Sequence, residues 1–527
     1  MKAGAKISCL KELSFGNQVA EEERETLRAY FVKTQAWNRI YNGDIDIIYG
    51  PKGSGKSALY VLIRDHDDDL FDKRVLVIAA ENPQGAPAFK DLERDPPPTE
   101  REFAGIWKLY FVSLLGRVVA DFGIDNAASR ELVSALKEHD LLPEKRTALG
   151  VVLKTVRRYV ARMFRPSSIE GSATVDPSTG IPLVTGKIVF EEPDMAAQKA
   201  GTISVDELLS VANNAFDAAG YDVWLMLDRL DVAFDEASEL EFNALRSLFR
   251  AYRDIRSFGR IKPKIFLRTD IWKRITEGGF REATHFSRDI HIQWDKPSLK
   301  NLIVRRLLNN KQVIDLYDVA VSNVLSSSDL QDQFFERVFP DQVEVGKKQS
   351  TTLDWLLRRT ADGSHETQPR DLILFLNKLS EVQTKRIERG DIEPEGEYLF
   401  DRTAFKEAMP ALSEYRVTKV IFAEYPRLRP YVDALREQKT EHTVSSLADL
   451  WALSIDETEV AAKELVDVGF FEERRVKGET TYWVPFVYRP YLAMTQGRSS
   501  GRYSEFDWFD LDDDVEDLTD ETDKVGS

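Results

Sequence analysis

Eight consecutive residues hold the densest chemistry in this chain: Gly50-Pro51-Lys52-Gly53-Ser54-Gly55-Lys56-Ser57. The three glycines let the backbone curl until its N–H groups converge on phosphate oxygens. Lys56 is placed to reach the β- and γ-phosphates of a nucleoside triphosphate, and the Ser57 hydroxyl to hold Mg2+. Ala58 opens the run Ala58-Leu59-Tyr60-Val61-Leu62. That run reads as the start of a helix, whose N-terminal amides favour an anion. The expected ligands are ATP and Mg2+.

A magnesium ion on phosphate needs an acid from a neighbouring strand. The apolar run Val223-Trp224-Leu225-Met226-Leu227 ends in Asp228-Arg229-Leu230-Asp231 and supplies one, Asp228. Asp231, one turn on, is either the base that orients an attacking water or the cap of the next helix. After Lys264-Ile265-Phe266-Leu267 come Arg268-Thr269-Asp270. Related ATPases keep a polar residue that senses the γ-phosphate at this place, and likeness to them implies that role for Arg268 or Thr269; otherwise Arg268 is a surface arginine in a loop. In Gln368-Pro369-Arg370-Asp371, Arg370 stands at a helix start, and a guanidinium grips phosphate bidentately. Its alternative is a salt bridge within its own helical region. The residues expected to act in catalysis are Lys56, Asp228, Asp231 and Arg268.

These residues need a scaffold. Ile45 to Tyr49 reads as a strand feeding the loop, and Arg74 to Ala79, Val223 to Leu227, Lys264 to Leu267 and Ile290 to Trp294 as four more. Helices between them are expected at about Val205 to Ala218 and Ala237 to Ser257, with an earlier one at about Gln18 to Thr34. Thr99 and Glu102, after Pro96-Pro97-Pro98, signal a helix start, and helices are expected from Thr99 to Arg165. Ile169 to Phe190 turns β-like, with a hairpin turn at Asp176 to Gly180. Strands alternating with helices predict a parallel sheet covered on both faces. Beyond Pro297 the period is helical to about Arg389. Ser445 to Leu453 and Asp456 to Val468 read as two short helices before a two-stranded ribbon, the outline of a winged helix. The expected segments are 1–35 N-terminal, 36–295 core with an insertion at 96–204, 296–395 helical lid, 396–497 winged-helix-like and 498–527 acidic tail.

Composition narrows the class. A chain of 527 residues has ample length for several cores. Its first ten residues lack an apolar signal-peptide stretch, and no run approaches the length of a membrane span. The one cysteine, Cys9, rules out an internal disulfide and a zinc–cysteine cluster. A reducing, cytoplasmic setting without membrane partners is expected. The net charge of −17 is uneven, because 505–527 carries eleven carboxylates against Lys524 alone. Such a tail cannot bury enough surface to order itself. Phe506, Trp508, Phe509 and Leu511 within it suit docking on a protein partner.

In order and kind these pieces resemble AAA+ and STAND-like ATPases that join a core and helical lid to a C-terminal winged helix, the layout of origin-recognition-type proteins. Phe15-Gly16, Ala20-Glu21, Gly50 to Ser57 with Lys52, Asp228-Arg229-Leu230-Asp231, Leu267-Arg268-Thr269-Asp270 and Pro369-Arg370-Asp371 are similar to an uncharacterised bacterial P-loop ATPase family. Some of its members lie near mobile-element or phage-defence genes. The likeness runs from about Phe15 to Leu492. It implies an α/β P-loop NTPase fold and an ATP-hydrolysing switch, as a homo-oligomer, controlling a nucleic-acid or protein partner. The alternative is a DNA-binding ATPase in replication, repair or phage defence. Arg229 stands where AAA+ enzymes carry a catalytic Glu, which implies slow turnover.

Two regions bear on nucleic acid. Between Lys145 and Ser168 there are seven bases and no acid. Lys154, Arg158, Arg162 and Arg165 fall on one helical face, with Arg157 beside them, opposite Val152, Val156, Val160 and Met163. That stripe suits a phosphate backbone, or else acidic surface of the protein itself. The presumptive recognition helix instead carries Asp456, Glu457, Glu459, Glu464 and Asp467 against Lys463 alone. Arg474, Arg475 and Lys477 in the wing are the better phosphate contacts, so binding led by the wing and indifferent to sequence is expected, or a protein interface.

Overall fold

The computed structural model describes residues 4–17, 20–80, 99–142, 155–156, 159, 174–175, 182–183, 188–190, 192–199, 201–228, 230, 239–277, 286–391, 393–476 and 478–495. The chain divides into two compact units, Lys33–Pro51 with Lys56–Ile292, and Met1–Val32 with Lys52–Gly55 and Gln293–Ser527.

The first unit is built on five parallel strands, β1 (Ile47–Gly50), β2 (Val75–Ala79), β3 (Asp222–Leu227), β4 (Ile261–Arg268) and β5 (Asp289–His291), in the order β2-β3-β4-β1-β5. All five were legible as apolar runs. Consecutive residues of β3 are buried on both faces, Val223, Leu225 and Leu227 as fully as Trp224 and Met226. Only a sheet sandwiched between helices buries both parities. The helices include α1 (Lys56–Asp65), α2 (Glu100–Asp121), α3 (Ala127–Glu138), α4 (Val205–Ala219), α5 (Glu239–Ile255) and α6 (Thr269–Glu277). Thr99 and Glu102 close a reciprocal capping box at the start of α2, as their spacing predicts. By length and composition α2 could cross a membrane, yet 89% of its apolar window is buried inside the protein. It is a core helix, packed against α4 and α5.

In the insertion, Thr174–Val175 pairs antiparallel with Pro182–Leu183, as a hairpin requires, while its turn lies outside the described residues. The short parallel pair Ile188–Val189 and Ile203–Ser204 was not anticipated.

A buried polar knot lies at the opening of β1. Lys264 Nζ donates to Asp46 Oδ1 (2.8 Å) and to Ile45 O (2.5 Å), and sits 4.6 Å from the centre of the Trp224 ring. Arg288 Nε lies 2.7 Å from Asp46 Oδ2, and Tyr252 Oη donates to the same oxygen at 3.1 Å.

In the second unit the N-terminus does not stand apart as a 1–35 segment. The Ala5–Glu12 helix buries Cys9 and Leu10 in a core that extends to Met494. Behind it, Phe15 N donates to Asn377 Oδ1 (2.9 Å) and Asn377 Nδ2 returns a bond to Gly16 O (2.8 Å). The single helix expected over Gln18 to Thr34 is instead a turn at Ala20–Glu23 and a helix at Arg24–Tyr30. Phe31 is extended, and Thr34 caps a separate helix, Gln35–Tyr41 of the first unit, by accepting from Trp37 N. That break brings Glu23 onto Arg306 of α7 (Lys296–Leu308), both bonds 3.0 Å, with the guanidinium 4.2 Å from the Tyr30 ring centre.

The helices α8 (Pro369–Glu388) and α9 (Arg402–Tyr415) lead to a small module. It has β6 (Glu441–Thr443), α10 (Val444–Trp451), α11 (Ile455–Asp467), β7 (Glu472–Val476) and β8 (Glu479–Trp483). The three strands form an antiparallel sheet ordered β6-β8-β7. The helix–helix–ribbon outline was legible; β6 was not. This module shares one core with the helices before it, so no separate core marks the expected division near residue 396. Arg416 ties the seam. It is buried, donates to Tyr488 Oη (2.8 Å) and Asp362 Oδ2 (3.1 Å), and lies 3.3 Å from Asp371 Oδ2.

Candidate functional site

In parallel α/β sheets, ligands bind beyond the carboxyl ends of the strands. At that edge of the first unit stand Gly50 closing β1, Asp228 just past β3, Arg268 closing β4 with Thr269 opening α6, and His291 closing β5. Because β4 separates β1 from β3, their ends lie about 10 Å apart by ordinary strand spacing. A phosphate chain with its metal ion can bridge such a gap.

The loop behaves as its glycines predict. Gly53 and Gly55 have φ of +87° and +96°, a left-handed backbone that residues with a side chain rarely adopt. Helix α1 then begins at Lys56, so Lys56, Ser57 and Ala58 form its first turn. Lys56 Nζ donates to Gly50 O (2.7 Å) and Pro51 O (2.8 Å), which holds the ammonium over the loop. Asp228 is buried, 6% exposed.

The tip, Lys52–Gly55, groups with the second unit. There Ser54 O accepts from Trp294 Nε1 (2.8 Å), and Lys52 pairs with Glu424. A Cβ added to Gly53 would lie 3.0 Å from the Cβ of Arg370, which belongs to the same unit as this tip. Gln368 precedes it as the residue before the Pro369 start of α8.

These residues fit a triphosphate and its metal. Ser54 Oγ is buried and has no hydrogen-bond partner among the described residues, although it lies in a curl of backbone amides. Ser57 and Asp228 are hard oxygen donors, the set Mg2+ prefers. Among the described residues no group of three or more His, Cys, Asp or Glu side chains could cage a metal.

The remaining expectations divide. Arg268 is engaged by Asp270, Nε to Oδ1 at 2.9 Å and Nη2 to Oδ2 at 2.8 Å. Thr269 Oγ1 lies 3.3 Å from His291 Nε2. Arg229, Asp231 and the bases Lys154, Arg157, Arg158, Arg162 and Arg165 lie outside the described residues. Of their expected apolar face, Val156 is described and fully buried. In the wing, Arg474 is held by Glu472 (2.6 and 3.0 Å) and stacks 4.0 Å from the Trp483 ring centre; Arg475 is exposed, and Lys477 lies outside the description.

Sequence reasoning missed His291. It read that stretch as a strand from Ile290 to Trp294, which puts His291 near the amino end; in the structure the strand is Asp289–His291 and the histidine closes it.

No family model matches the chain. It is 22% identical over 316 residues to the "Putative transposon gamma-delta 80.3 kDa protein" of Escherichia coli (strain K12), covering 56% of this chain. The chain spans 40% of that relative's length. Among solved structures, an Aeropyrum pernix ORC1 protein in complex with DNA is 10% identical at a TM-score of 0.37, covering 89% of this chain and 94% of that one. A Walker-type ATPase of Pyrococcus abyssi is 11% identical at 0.37, covering 88% and 96%. An Aeropyrum pernix ORC2 protein is 12% identical at 0.36, covering 91% and 93%. Likenesses this distant decide neither fold nor function; the fold assignment rests on the sheet itself.

Proposed function

We propose that this chain binds ATP with Mg2+ and hydrolyses it slowly, as a switch that controls a partner. One observation carries the reading: a left-handed glycine loop that ends β1 and opens α1 at Lys56, on the strand edge that also presents Asp228. Lys56 and the loop amides would neutralise the β- and γ-phosphates, and Ser57 and Asp228 would hold Mg2+. The metal supplies charge neutralisation on the transferred phosphoryl group. In the reaction a water oxygen bonds to the γ-phosphorus, the bond to the β,γ-bridging oxygen breaks, and ADP and phosphate leave with the water's proton passing to solvent. Arg229, in place of a carboxylate beside Asp228, gives the attacking water no base there, which supports slow turnover. Asp231 is the remaining acid for that task. Arg370, seated on Gly53, would read the loaded loop.

The partner surface favours protein over base-reading DNA contact. The exposed face of α11 carries Asp456, Glu459, Val460 and Asp467, and one of the wing bases, Arg474, is already paired. The basic run at 145–168 and the transposon-named relative support the DNA-binding alternative, in replication, repair or phage defence. Steady-state ATPase assays with and without duplex DNA test both. The wild type should turn ATP over slowly and Lys56→Ala not at all; full activity in Lys56→Ala contradicts the assignment. Stimulation by DNA that fades steeply with salt would favour the alternative.

A further inference from the structure

His291 pairs with Tyr49 in the register of β1 and β5, and its ring stacks on Tyr49 at 5.0 Å with an interplanar angle of 14°. Tyr49, whose chain enters the phosphate loop one residue later, stacks on Trp272 of α6 at 5.4 Å. The stack fixes the imidazole plane, and its edge meets Thr269, Nε2 to Oγ1 at 3.3 Å. Tyr49, Thr269, Trp272 and His291 all belong to the first unit.

We propose that His291 is a positioning residue for ATP hydrolysis: its Nε2–H donates to Thr269 Oγ1 and thereby turns the Thr269 hydroxyl proton toward the γ-phosphate. A hydroxyl is both donor and acceptor, and its rotor settles according to its strongest neighbour. An imidazole N–H on the oxygen leaves the Thr269 proton for an anionic acceptor, where a charge-assisted bond is strongest. Without that donor the rotor can reverse and present lone pairs to phosphate. Burial, with Lys273 and Lys56 nearby, holds the His291 ring below the ordinary imidazole value. It is therefore neutral at pH 7, and a single N–H remains to be placed. Arg268, bound by Asp270, leaves this task to its neighbour.

The inference rests on the ATPase reading, and three variants separate the two. His291→Phe keeps the stacking ring and removes the donor. His291→Gln places an amide N–H at a similar reach. Thr269→Val removes the hydroxyl. The proposal expects His291→Phe and Thr269→Val to lower kcat about ten- to a hundredfold, the worth of one bond to a charged group. KM for ATP and melting temperature should hardly change, and His291→Gln should recover most of the rate. Wild-type kcat in His291→Phe, or equal losses in Phe and Gln variants, would overturn the proposal while leaving the ATPase reading intact. If the wild type binds no ATP, both fall.

Discussion

Lys264 is fully buried, and its ammonium titrates at about 8 rather than 10.5 because burial outweighs the attraction of Asp46. The unfolded chain holds that proton up to its ordinary value, whereas the native state releases it earlier. Between about pH 8 and 10.5 the unfolded state thus binds more protons, and stability must rise with pH across that window. The gain is on the order of a few kcal/mol. Comparing urea midpoints of the wild type and Lys264→Met from pH 7.5 to 10 isolates it: the difference should shift toward the wild type as pH rises. A difference independent of pH would contradict the assignment. No sequence pattern announces this lysine, since in a run such as Lys264-Ile265-Phe266-Leu267 it reads as an exposed strand end. Cys9 shows a similar gap. It is buried with its thiol pushed up to about 12, so it is inert packing rather than a reactive group.

At the scale of elements, the phosphate loop, the strands and the capped helices could be read because their causes are local. Glycine spacing, continuous apolar runs and the Thr99–Glu102 box all act within a few residues. The N-terminal strap could not be read in this way. Gly16 has a φ of +85°, and a Cβ there would run into the Glu23 carboxylate and the Arg306 guanidinium. Part of that requirement comes from Arg306, almost three hundred positions away, which holds Glu23 in place. For Gly53, φ and the nearness of Arg370 act together. Gly53→Ala meets a left-handed penalty of about 1–2 kcal/mol from φ alone. That leaves the competent loop about five- to thirtyfold rarer, and apparent ATP affinity should fall accordingly. Titration with a fluorescent ATP analogue measures this; wild-type affinity would show that the loop does not use this conformation to bind.

For the whole molecule, the five-stranded parallel sheet was foreseeable, whereas its strand order and the grouping of segments were not. The sequence suggested an N-terminal helical segment at 1–35, a helical lid and a winged-helix-like end. The contacts instead gather the N-terminal strap, the helices beyond Gln293 and the small β-module around one core. That core is assembled from apolar faces far apart in sequence, which composition windows cannot join. The buried Arg416, on Asp362, Asp371 and Tyr488, links the start of α8 to the module, so Arg370 and the module share a support. Every role assigned to the loop depends on nucleotide binding. Calorimetric titration of ATP with Mg2+ into the full chain and into Lys56→Ala tests it most directly. One saturable site is expected in the wild type, with affinity at least tenfold weaker in Lys56→Ala, about the loss of one charge-assisted phosphate contact. Equal binding by both proteins, or no binding by the wild type, would contradict it.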